Sequence, residues 1–140
     1  MNPFDLPVHP IAVHFPVAML IAAATCVILR YLLLDEAWAE RGRMFERIGI
    51  ATLPLTLITG FVDTRGIDFL RDRRWDQPLI WHATVATVTT AVFVVHFVWS
   101  RRVASGPTIR MAIVDVGLIS AGAWGLLLTG AIAGEMVYGA

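Results

Sequence analysis

Four long stretches of this chain carry almost no charge, and they leave little choice of fold. The first runs from about Ile11 to Leu34, the third from Leu79 to Ser100 and the fourth from Met111 to Val137. Each meets the ~20 residues needed to cross ~30 Å of hydrocarbon as a helix. The second, residues 46–64, is the shortest. It holds fifteen uncharged residues from Ile48 to Val62, with Pro54 and Gly60 among them, and spans if Glu46 and Arg47 snorkel at one end. A chain of 140 residues that is 57% hydrophobic, with a mean hydropathy of +0.70, lies outside the range of soluble globular domains. Backbone polar groups have no water to bond in lipid, so spans of this length are helical. The expected fold is all-α: a four-helix transmembrane bundle forming a single domain over residues 1–140.

Charge sets the expected orientation. The first and third connections hold Arg30, Arg41, Arg43, Arg47, Arg101, Arg102 and Arg110, against Arg65, Arg71, Arg73 and Arg74 in the second. Seven against four puts both termini outside by the positive-inside rule, on the periplasmic side of a bacterial inner membrane. Tyr31, Trp38 and Trp99 then fall at the inner edge, and Trp75, Trp81 and Tyr138 at the outer. Trp124 falls mid-span and calls for a buried role. The stretch "DEAWAERGRMFERIG" reads as an interfacial helix on the inner side, and "GIDFLRDRRWDQP" as a mixed-charge outer loop.

Several function classes drop out. Eleven basic residues, all Arg, balance eleven acidic ones, and no base- or phosphate-reading motif accompanies them, which excludes nucleic-acid binding. No nucleophile elbow, phosphate-binding glycine loop or HExxH is present. One cysteine, Cys26, allows no intrachain disulfide. Residues 1–10 lack the basic start of a cleaved signal, so the first apolar run is expected to stay as a helix.

In an up-and-down bundle, the start of the first and third helices lies beside the end of the second and fourth. His9 and His14 open the first, His82 opens the third, Asp63 closes the second and Glu135 closes the fourth. Three imidazoles and two carboxylates, far apart in sequence, are thus expected at one end of the bundle. Ionisable residues at membrane depth are costly and mark function by default. Pro10 suits a first helical turn, and Pro16 bends the backbone that aims the histidines. In the fourth segment Gly117, Ala121 and Gly125, then Gly130 and Gly134, form a stripe of small residues for close helix approach. His82 and His96 lie fourteen apart, nearly the same face and ~21 Å along a helix. His96 has no second histidine at its own end, and Met44 and Met111 are poor partners, so it is expected to bond within the bundle or face the interface.

The pieces "HPIAVHFPVA", "TGFVD", His82 and "GAIAGEMVY", in that order, resemble a family of small bacterial four-helix membrane proteins known only as a domain of unknown function. The resemblance covers nearly the whole chain. It implies a shared four-span fold and marks His9, His14, Gly60, Asp63, His82, Gly134, Glu135 and Tyr138 as motif positions, without supplying an activity. Relatives joined to cytochrome c or Rieske-type modules imply redox surroundings and partners of that kind.

Three chemistries fit these residues. One is a b-type heme with His14 and His82 as axial ligands, His9 capping the slot, and Arg65, Arg71, Arg73 and Arg74 pairing with propionates. A second is a transition-metal or proton site of His9, His14 and His82 with Asp63 or Glu135. The third is a structural or assembly subunit, an anchor with no cofactor, in which the polar cluster fixes helix register. An electron-transfer or accessory role suits the chain better than that of a stand-alone enzyme.

Overall fold

The computed structural model describes residues 8–63, 77–103 and 107–138, which form four helices. They are α1 (Val8–Leu33), α2 (Ala37–Asp63), α3 (Gln77–Val103) and α4 (Ile109–Tyr138). All four are long and apolar enough to cross a membrane. The arginine-bearing outer loop of the sequence reading, with Arg65, Arg71, Arg73 and Arg74, lies outside the described residues.

Two antiparallel hairpins make the bundle. α1 packs along α2 and α3 along α4, and the hairpins meet through α1 with α4 and α2 with α3. The turn between α1 and α2 is short and specific. Leu34 takes a left-handed conformation (φ 52°), and the Asp35 amide donates back to the Arg30 carbonyl at 3.2 Å, the 6→1 bond of a Schellman ending. Asp35 then caps α2, its carboxylate accepting from the Ala37 amide at 2.9 Å. Thr108 caps α4 in the same manner, through Met111.

Small residues bring the helices together. A Cβ at Gly42 would sit 3.3 Å from Cys26, and one at Gly49 would sit 2.8 Å from Leu20. Between α3 and α4, Gly122 lies against the Phe93 ring and Gly125 against the Thr89 side chain. The core is an apolar layer of Leu20, Ala24, Val27, Phe93 and Ile119, all buried. Outside it the arrangement is that of a protein in lipid: Leu57, Ile58, Val95, Ile113 and Leu127 are exposed around the bundle. Thr25, Thr52, Thr56, Thr87 and Thr129 each donate to a carbonyl one turn earlier, which satisfies their hydroxyls without water.

Several expectations change here. The charged stretch from Asp35 to Gly49 is no separate interfacial helix: α2 runs unbroken from Ala37, through Pro54, to Asp63. Glu46 does not snorkel, being 1% exposed. Trp124 has no buried role, since it points outward at 71% exposure. The small stripe of α4 is used only in part. Gly125 meets α3, whereas nothing among the described residues lies within 4 Å of a Cβ at Gly117, Gly130 or Gly134. The α4 glycine against Phe93 is instead Gly122. α1 is helical throughout, Pro16 included.

Candidate functional site

At the end where α1 begins, the structure separates the predicted histidines. Five residues of helix turn the chain by about 140° between His9 and His14, so the two cannot share a face. His9 is half-buried on the inner side. Its ring stands over Gly60, where an added Cβ would lie 3.0 Å from the ring, and its Nδ1–H donates to Thr59 Oγ1 at 3.2 Å. The Thr59 hydroxyl spends its own proton on the Thr56 carbonyl, which leaves it the acceptor. His82, half-buried on α3, donates Nδ1–H to the Thr129 carbonyl of α4 at 3.2 Å. His14 is exposed, its ring bonded back onto the Pro10 carbonyl of its own helix. Glu135 is exposed on α4, and Asp63 is the last residue of α2. Among the described residues no three of His, Cys, Asp and Glu converge on a point that could hold a metal ion.

The opposite end holds the more deeply buried chemistry. His96, on the same face of α3 as His82, is 1% exposed and lies between two carboxylates that are each 1% exposed. Its Nδ1 is 2.6 Å from Glu46 Oε1 of α2, and its Nε2 is 3.3 Å from Asp115 Oδ1 of α4. The first contact is a short, charge-assisted hydrogen bond. The second is close but off the line of a hydrogen bond, so both Nε2 and Oδ1 are buried without a hydrogen-bond partner among the described residues. The other Asp115 oxygen accepts from the Tyr31 hydroxyl at 2.9 Å, with Arg30 Nη1 at 3.9 Å. Arg30, 4% exposed, donates Nη2 to the Val103 carbonyl of α3 at 3.3 Å and forks onto Glu36 with contacts of 2.8 to 3.1 Å. Glu36, at 67% exposure, carries this chain of contacts to the surface.

All four helices thus meet in one ionic network. Its ring nitrogens face away from each other, toward different carboxylates, which is why the three groups do not chelate. Neither Met44 nor Met111 enters into it; His96 bonds within the bundle. Arg30, counted in sequence among the arginines of a connection, is a buried member of the bundle. Glu46 and Asp115 are not among the site residues expected from the sequence. Glu46 shares the heptad face of Ala39, Gly42 and Gly49, the face that packs on α1. Asp115 is the one acidic residue in the apolar run from Met111 to Gly134. Both signals are in the sequence.

The chain matches, over residues 5–140, the model of a family described as predicted membrane proteins, DUF2231. Neither the curated proteins nor the solved structures include a significant match to it.

Proposed function

This chain belongs to the DUF2231 family of predicted membrane proteins, and we propose that within the bilayer it serves as a redox-associated subunit, holding a b-type heme at the end where α1 begins. His9 and His82 are the imidazole pair of this reading. The observation that carries it is the state of the two rings: each spends its Nδ1–H on a protein oxygen, which puts the ring lone pair on Nε2, the tautomer in which histidine ligates iron. They come from α1 and α3 and face inward, and Gly60 leaves the space that the His9 ring occupies. His14 has its ring on the outer side of α1 and is a bystander. The heme would supply one-electron transfer near one face of the membrane. Arg65, Arg71, Arg73 and Arg74 belong to the segment joining α2 to α3 at this same end and would pair with its propionates.

The arginine bias supports placing this end outside a bacterial inner membrane, where a cytochrome c or Rieske-type partner would meet it. The test is an optical spectrum of the detergent-purified protein before and after dithionite. A Soret band with sharpened α and β bands, lost in His82→Ala and His9→Ala and kept in His14→Ala, is the expected result. A featureless spectrum from protein made with ample heme would end the heme reading.

A second reading is favoured by the other end of the bundle. A buried ionic network that touches every helix suits a structural or assembly subunit, and then the same histidine substitutions would alter abundance or release a co-purifying partner without any pigment.

A further inference from the structure

We infer that the gap between His96 Nε2 and Asp115 Oδ1 is a binding site for one exchangeable proton, loaded from the Arg30 end of the bundle and closed toward the His9 end. The inference is independent of any cofactor at His9 and His82.

With Nδ1–H given to Glu46, a neutral His96 turns the lone pair of Nε2 toward an oxygen of Asp115 only 3.3 Å away. If that carboxylate is ionised, two lone pairs oppose each other in a dry interior, and among the described residues neither atom has a hydrogen-bond partner to relieve them. One proton between them removes the conflict. It resides on Nε2, giving imidazolium against two carboxylates, or on Oδ1, giving a carboxylic acid against neutral imidazole. Both forms need a slight rotation of either side chain to align the bond, and both carry the same net charge.

Charge agrees with a single proton. The groups facing His96 and Asp115 are Arg30 and Tyr31 of α1 and Glu46 of α2, with Glu36 of the turn at the surface. With the proton in place, the buried members sum to zero. Without it, a net negative charge is left in low dielectric, at the cost that attends an unpaired buried ion.

Access is one-sided. The Tyr31 hydroxyl, which donates to Asp115 Oδ2, belongs to a half-buried ring; it can give its proton to Oδ2 and take another in its place, and a half-turn of the Asp115 carboxyl then carries that proton to the His96 side. Beside it, buried Arg30 leads to Glu36, which is exposed. Toward the other end lie Leu20, Ala24, Val27, Phe93 and Ile119, which offer no donor or acceptor side chain.

The experiment uses the full chain reconstituted in phosphatidylcholine vesicles, with orientation established by protease accessibility. Infrared difference spectra and ¹⁵N-histidine NMR are recorded across the pH range in which the bundle stays helical. The expected result is one titration in which His96 ring-nitrogen signals and a carboxyl band change together, driven by pH on the Arg30 side alone. Asp115→Asn should lose that band. Tyr31→Phe should slow the exchange while leaving its midpoint in place. His96 nitrogens and carboxyl bands that stay unchanged over the whole folded range in the unmodified protein would overturn the site. A response to pH on the His9 side alone would overturn its one-sided access. Neither outcome bears on whether His82 and His9 hold heme, which the optical spectrum decides separately.

Discussion

His96 Nδ1 stands 2.6 Å from Glu46 Oε1, and each of the two side chains is 1% exposed. The bond joins α3 to α2, the less extensively packed of the hairpin-to-hairpin contacts, and so fastens together parts that apolar packing holds only lightly.

Removing one partner from this network should therefore cost far more than removing the whole of an exposed pair. His96→Ala leaves Glu46 and Asp115 buried without the imidazole that stands between them and is expected to destabilise the bundle by about 3–5 kcal/mol. Unfolding in mixed micelles with rising denaturing detergent measures it. A loss below about 1 kcal/mol would mean that the carboxylates find water or are neutral without help.

Arg30 and Glu36 form one ion pair with two very different environments. Arg30→Ala should destabilise by about 3–5 kcal/mol, because Asp115 and the Val103 carbonyl stay buried while their cation is gone. Glu36→Ala, which removes only the exposed half, should cost about 0–1 kcal/mol. The same unfolding assay reads both. Equal losses would show that Arg30 is held mainly by Glu36.

The α4 glycines divide by what they face. Gly125→Ala pushes a methyl into Thr89 and is expected to cost about 1–3 kcal/mol. Gly130→Ala meets nothing within 4 Å among the described residues and should be neutral or gain up to about 1 kcal/mol from helix propensity. Thermal unfolding of the two variants side by side would separate them, and a larger loss at Gly130 would place a partner on that stripe.

Gly60 is the seat of the His9 ring. A methyl there would sit 3.0 Å from His9 Cε1, so Gly60→Ala should move the ring and lengthen its bond to Thr59 while α2 stays helical. Histidine side-chain NMR shifts, with circular dichroism for the helix, report this. An unmoved His9 signal would show that the ring has slack.

The membrane fold could be read from hydropathy, because four apolar runs long enough to span admit no other arrangement of backbone hydrogen bonds. The beginning of α2 was harder to see. Its first turns carry Glu40, Arg41, Arg43 and Arg47, and charge suggests a break where the backbone makes none: helical bonding is indifferent to side chains that project outward. Burial at the Arg30 end was harder still. Glu46 sits in a run of charges and is distinguished from Arg47 only by helical angle, which turns it toward α1 and α3. Arg30 closes α1, where a surface arginine is the ordinary expectation, and it is the approach of α3 at Val103 and of α4 at Asp115 that encloses it. Of the histidines, the angular step between His9 and His14 was legible from their spacing, and it decides which ring faces in. The partners Thr59 and Thr129 were not, since they depend on the vertical register between helices.

Phe93, fully buried against Gly122, together with Leu20 and Ile119, forms the layer that divides one polar end from the other. In an energised membrane, voltage falls across whatever part of a protein excludes water. An elementary charge carried through the full drop changes in energy by about 2.3 kcal/mol per 100 mV. The two polar ends therefore sit at different electrical potentials. Substituting a small polar residue for Phe93 would let water enter that layer, spread the drop over a longer path and leave the ends no longer electrically distinct.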